Sequence, residues 1–163
     1  MHDIAKHYKD IVEWNKMAGN TFHHHDSLDF WRAVENQTKL VLEETKETLA
    51  ACEHGDPVEL LDGICDILVT YSFLAELVYQ AGFETDLAMR LVNQNNATKI
   101  FTTYTKAKET LEALEAKGEI EGLHIEEAVV KGVPYFTVRD GNRKIRKPID
   151  FVSVGLTEAL PRG

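Results

Sequence analysis

Three glutamates, Glu43, Glu44 and Glu47, crowd one strongly helical run, VLEETKETL, and two aspartates, Asp62 and Asp66, interrupt an otherwise apolar one, LLDGICDILVTYSFL. A carboxylate in an apolar setting loses several kcal/mol of hydration unless a cation or strong donors compensate. At about 100° per residue, the main apolar stripe of the first run's helix is Val34, Thr38, Val41, Thr45, Leu49 and Cys52, and Lys39 and Lys46 mark its wet side. Glu44 and Glu47 lie on neither. They share a third sector with Ala33, Leu40 and Ala51, and Glu43 borders it on the wet side. Asp62 and Asp66 stand one turn apart in the sector of Val69 and Phe73, with Glu59 a turn before Asp62. A solvated face with Glu and Lys at supporting spacing is the alternative for EETKE; the apolar company of its sector speaks against it. The link EHGDPVE is short, so the two helices are expected to run antiparallel and to face Glu44 and Glu47 toward Asp62 and Asp66. Such a concentration of negative charge calls for a hard cation. An all-oxygen donor set without His or Cys favours Mg²⁺ or Mn²⁺ over zinc, and Mg²⁺ commonly completes its shell with substrate phosphates.

The elements that must hold these acids are mostly helices. Ile4 to Met17 reads as a first helix ended by Ala-Gly-Asn, followed by a polar loop, TFHHHDS, before Ser27 or Asp29 caps a long second helix running to about Cys52. His-Gly-Asp-Pro ends it, and Pro57 opens a third helix, about Val58 to Gln80. That helix is apolar nearly all round, so it is expected to be central and to need more cover than one four-helix unit provides, hence a homodimer or homotetramer. A fourth helix starts at Thr85 and runs to about Phe101, continuing toward Lys117. Beyond Gly118 the period changes to short β-rich runs: EEAVV, VPYFTV, a turn at RDGN, and RKIRKPIDFVSV. The expected fold is mainly α, an antiparallel helical bundle over residues 1–117 that carries the chemistry, with a small β-hairpin in a C-terminal extension over 118–163.

Composition narrows the partners. Among 163 residues, 44% are hydrophobic and 28% charged, ordinary for a globular domain, and the net charge of −9 argues against nucleic acid or anionic lipid as a partner. The start, MHDIAKHYKD, lacks the apolar core of a signal peptide, and Asp62, Asp66 and Glu76 interrupt the longest apolar stretch. Cys52 and Cys65 sit among apolar neighbours without metal-ligand spacing and read as buried free thiols of a reducing compartment. The expectation is a cytoplasmic protein that takes a small ligand or a metal and no membrane.

The acidic pattern, Glu43-Glu44-x-x-Glu47 followed by Glu59-x-x-Asp62-x-x-x-Asp66, resembles the all-α nucleoside triphosphate pyrophosphatases, the MazG-like group that includes phosphoribosyl-ATP pyrophosphohydrolase and the dimeric dUTPases. The resemblance extends to Asn95–Lys99, NNATK, which is similar to that group's Asn-x-x-Lys element, and loosely to the hairpin tail. It implies that Glu44, Glu47, Asp62 and Asp66 hold Mg²⁺, that a neighbouring Glu activates water, and that a nucleotide is cleaved between its α and β phosphates to a monophosphate and pyrophosphate. Three acids, Glu59, Asp62 and Asp66, stand where the pattern has two, so Glu59 remains a further ligand candidate. Glu43, at the border of the sector, is the candidate base.

Asn96 and Lys99 share a face with Ala88 and Val92, either as a polar pair at the core edge or as contacts to a phosphate or sugar, Lys99 supplying a point charge. Asn15, Asn20 and Trp31 are candidates to line a base pocket. RKIRK, Arg143 to Lys147, reads as a solvated strand. Two other functions compete. His25-Asp26 is similar to the metal pair of HD-domain phosphohydrolases but precedes a helix cap in a loop, and a non-catalytic oligomerisation bundle that merely binds cations would also concentrate acids. A di-iron carboxylate bundle is disfavoured, because the only Glu-x-x-His, Glu121 to His124, crosses Gly122.

Overall fold

Helix ends in this chain are written into its capping residues. The computed structural model describes residues 4–162 and is mainly helical, in the order α1 (Ile4–Met17), α2 (Leu28–His54), α3 (Pro57–Gln80), α4 (Thr85–Ala97), α5 (Tyr104–Glu115), β1 (His124–Val130) and β2 (Val133–Arg139), with a 3₁₀ turn at Thr157–Ala159. Of the two candidate caps for α2 it is Ser27 that serves, its hydroxyl accepting from the Phe30 N–H at 3.1 Å. At the other end Gly55, with φ +67°, takes the left-handed conformation that an L side chain resists. The Asp56 carboxylate then accepts from the N–H groups of Val58 and Glu59, and Pro57 occupies the first turn of α3. Only Gly55 and Asp56 therefore separate the two helices, which forces them antiparallel.

The chain forms two compact units, one running to Thr85 and including the segment from Thr157 onward, the other Asp86–Leu156. In the first, α2 and α1 both pack against α3. The Tyr8 hydroxyl donates to Glu76 Oε2 at 2.7 Å, and Gln80 donates to Oε1 at 2.8 Å, so the buried Glu76 carboxylate ties α1 to α3. Burial and the Glu76 charge raise the Tyr8 pKa well above the usual phenol range. The returning tail closes on the end of α3 through a bond from the Glu84 N–H to the Ala159 carbonyl.

In the second unit β1 and β2 form an antiparallel hairpin, closed at Lys131 and Gly132, both at positive φ as a tight two-residue turn requires. Phe101, Ala107, Phe136 and Val138 make the core under it, with Leu111 and Leu114 of α5 packed alongside. Two expectations need correction here. The fourth helix does not run on to Phe101 and Lys117: it stops at Ala97, Thr98 bonds back to the Asn95 carbonyl, and Phe101 exchanges both backbone hydrogen bonds with Phe136. The backbone of Phe101 is used as a strand, so helix resumes only at Tyr104. The segment after RDGN is not a further strand either. Only Ile145 bridges to Arg139, Arg143 sits at φ +62°, and Pro148 has no N–H to donate. The change of period near residue 120 marks the passage from helix to strand, whereas the compact units part between residues 85 and 86, because the hairpin packs on α5.

Replacing Tyr8 by Phe removes a hydrogen bond to a buried carboxylate. It should lower unfolding free energy by about 1.5–3 kcal/mol in denaturant titration, with helix content unchanged.

A candidate acidic site in the seam between α2 and α3

The register of α2 on α3 is set at two levels. Near the link, a Cβ added to Gly63 would collide with Thr48 Oγ1 and stand 3.2 Å from Thr48 Cα and Cβ, so glycine is what lets the two backbones approach there. Further along, Gln37 donates to the Thr70 carbonyl at 2.9 Å. Between these levels come Glu44 on α2 and Asp66 on α3, both half-buried. The hydroxyls of Thr48 and Thr70 bond back to the carbonyls of those same two residues, at 2.8 Å each, which satisfies both hydroxyls within their own helices.

This corrects the expected facing of α2. Its buried and half-buried positions recur as Phe30, Val34, Gln37, Val41, Glu44, Thr48 and Ala51, a seam of nearly regular three- and four-residue steps. Thr38, Thr45, Leu49 and Cys52, expected in the buried stripe, are exposed in this chain, Leu49 at 58%. Glu44 thus belongs to the packing seam itself rather than to a separate sector. Cys65 is exposed as well as Cys52, so neither is the buried thiol that apolar neighbours suggested.

Around Glu44 the other acids converge. Burial first, then the charges of Asp66, Glu47, Glu43 and Asp62, hold its carboxyl above the usual glutamate range. Two of those four residues are on α2 and two on α3, as the antiparallel pairing anticipates. Glu43, Glu47 and Asp62 are exposed, and so is Glu59, which is not among the charges acting on Glu44. Among the described residues no three His, Cys, Asp or Glu side chains stand together as a ready metal cage. The donor set is nevertheless all carboxylate oxygen, with Glu47 and Asp62 exposed and free to change rotamer, which suits a hard divalent cation.

The remaining candidates fall elsewhere. Asn96 and Lys99 pair with one another, Lys99 Nζ donating to Asn96 Oδ1 at 2.6 Å, and Lys99 and Lys147 both lie over the Phe151 ring, at 5.5 and 4.6 Å, within the Asp86–Leu156 unit. Asn20 donates to Asn15 at 2.9 Å, and Trp31 is exposed with an edge contact to Phe30. In the HHHD run it is His24, not His25, that pairs with Asp26, at 2.7 Å and with both side chains largely exposed; this contact lowers the Asp26 pKa. Gly63 and Gln37 were not singled out from the sequence. A glycine inside an apolar helix and an amide one heptad before Glu44 were the available signals.

No protein-family model, curated protein or solved structure matches this chain.

Gly63→Ala should destabilise the protein by about 1–3 kcal/mol through overpacking, and adding Thr48→Ala should recover part of the loss, a coupling readable in a double-mutant cycle. Glu44→Gln should act in the opposite sense. Because the folded pKa of Glu44 is raised, its favourable contribution is complete below the ordinary glutamate pKa and is lost as pH rises through the folded value. In chelator-treated protein the substitution should therefore raise the thermal midpoint by a few degrees at pH 7, with the difference disappearing near pH 4.

Proposed function

We propose that this chain is a divalent-cation-dependent nucleotide pyrophosphohydrolase that converts a nucleoside triphosphate, deoxynucleoside triphosphate or related nucleotide to the monophosphate and pyrophosphate. The observation that carries the reading is the seam: Gly63 and Thr48 on one side and Gln37 and Thr70 on the other lock Glu44 beside Asp66. Helix packing alone would favour an apolar residue in either place. The order of acids along both helices, like that of the all-α pyrophosphatases, supports the same reading.

Glu44, Glu47, Asp62 and Asp66 would hold Mg²⁺ or Mn²⁺, with Glu59 as the further ligand. When bound, the cation neutralises phosphate charge and polarises the phosphoryl oxygens. Glu43, exposed and adjacent to Glu44, is the base. It takes a proton from water as the water oxygen bonds to phosphorus and the bridging P–O bond breaks, releasing pyrophosphate. Lys99, paired with Asn96, carries the positive charge that a phosphate contact needs.

The oligomer belongs to the same proposal. Leu61, Ile64 and Tyr71 of α3 are exposed, and they line an apolar groove of about 960 Å³ with Ile11 and Trp14 of α1. A second copy of the chain, as a homodimer or homotetramer, would cover it. Among the described residues no helix is long and apolar enough to cross a membrane, and the two free thiols fit the reducing cytoplasm.

Incubation of the full chain with common and modified nucleoside triphosphates and Mg²⁺ should release pyrophosphate from at least one, and chelation should abolish the release. Glu43→Gln should lower kcat by about 10²–10⁴-fold with cation and nucleotide affinity nearly intact, whereas Glu47→Gln should weaken the cation first. Equal loss of cation affinity in both would make Glu43 a ligand. Light scattering should give a mass of at least two chains; a sharp monomer mass overturns the oligomer.

A further inference from the structure

The backbone of β1 is satisfied on one side only. On the outer edge of β2, Phe136 exchanges both backbone hydrogen bonds with Phe101 at 2.8 Å, and the Val138 carbonyl accepts from the Arg146 N–H at 2.8 Å. Those groups therefore point away from β1. Because Phe136 stands opposite Glu127 and Val138 opposite Ile125, the pairing obliges Glu127 and Ile125 to turn their own N–H and C=O groups away from β2, and Val129, two residues on, does the same. The free edge of β1 thus presents the N–H and C=O groups of Ile125, Glu127 and Val129, and among the described residues none of them has a backbone partner.

The two edges of the hairpin are treated differently. That of β2 is bridged by Phe101 and Ile145, and Pro134 offers it no donor. β1 carries no proline, lysine or bulge to turn a further strand away, and its register with β2 is continuous over His124–Val130. Glu126 is held by Arg139 at 2.9 Å, which leaves Glu127 as the acid of the strand without an ion pair among the described residues. Toward the turn Ala128, Val129 and Val130 are exposed, Val129 at 65%, and the exposed Lys131 follows them.

We propose that β1 pairs antiparallel with β1 of a second copy of the chain, joining two hairpins into one four-stranded sheet, with the two-fold axis beside Ala128 or Val129. Charge selects that register. An axis at Glu127 would set it against Glu127 of the second copy, whereas a shift of one or two residues toward the turn brings Lys131 of the second copy diagonal to Glu127 or directly opposite it, twice per interface by symmetry. Ala128 and the exposed valines then lie side by side. In either position of the axis the residues with outward N–H and C=O groups fall opposite one another, so the ladder closes without rearranging the hairpin. This edge belongs to the Asp86–Leu156 unit and is not the groove of α1 and α3.

Residue-resolved amide exchange and sedimentation of the full chain test the pairing. The N–H groups of Glu127 and Val129 should be protected, with protection falling severalfold on dilution. Val129→Pro removes one outward donor and spares the bonds within the hairpin; it should halve the mass of the assembly while the amides of Ala128 and Val130 stay protected. Glu127→Lys and Lys131→Glu should each weaken association severalfold. The double reversal should restore it, because about 13 Å of strand separates the two positions within one chain. Both residues are exposed, so the reversals keep the test open if Val129→Pro unfolds. An unchanged mass in Val129→Pro with the hairpin retained, single reversals without effect, a double reversal no better than either single, or a monomer at every concentration overturns the proposal. An assembly that survives in all three variants does so too and leaves the groove of α1 and α3 as the interface. Protection of the edge amides in a chain that stays monomeric also overturns it and gives the edge to a strand of another protein.

Discussion

Like charge held inside a helix seam is the constraint on which the rest of this protein depends. Two antiparallel helices that met through Leu and Ile would need little help to stay together, but here the meeting positions include Glu44 and Asp66. Repulsion between them, and from Glu47, Glu43 and Asp62, works against the packing. The surrounding structure is arranged to resist it. A two-residue link with a left-handed glycine, a doubly bonded Asp56 cap and Pro57 fix one end, the close passage of Gly63 under Thr48 fixes the next level, and the bond from Gln37 to Thr70 the one beyond.

The seam is correspondingly poor in the residues that usually fill one. Gln37, Glu44 and Thr48 on α2 and Gly63, Asp66 and Thr70 on α3 occupy places that an oligomerisation bundle would give to aliphatic side chains. Such places cost a helix pair packing energy, and departures from local packing rules concentrate at functional sites. The polarity is ordered along the seam as well: amides at one level, carboxylates two turns further on.

Charge is unevenly divided between the compact units. Asp86–Leu156 contains 11 Lys and Arg against 10 Asp and Glu, whereas the rest of the chain has 7 against 17, so the whole net charge of −9 comes from the part that contains α1 to α3. A negative field of that kind raises the local concentration of divalent cations around the seam. In the other unit the basic side chains have local duties. Arg146 reaches the buried Asp140 carboxylate at 3.1 Å, next to the backbone N–H groups of Lys144, first, and Asn142, which hold the Asp140 pKa below the usual range.

Much of the fold was legible in the residues alone. Ser27, Gly55, Asp56 and Pro57 fix helix ends through backbone groups a few positions away, and helix ends are local chemistry; the antiparallel course of α2 and α3, the acids on both, and two β runs after Gly118 follow from the same kind of short-range evidence. What the residues alone misplaced was the stripe of α2 that meets α3. Two stripes of mixed polarity satisfy a helical period equally well, and only the close approach at Gly63 selects the one containing Glu44, leaving Leu49 and Cys52 exposed. The break after Ala97 and the irregular course beyond Asn142 are likewise set by partners outside the local segment, since Phe101 leaves its helix to pair with Phe136 and, of the residues after Asn142, Ile145 alone bridges to Arg139. Local propensity determined where elements begin and end; their facing was decided by tertiary contact, because a helix turns an equivalent face outward every 3.6 residues and nothing within it says which face will be covered.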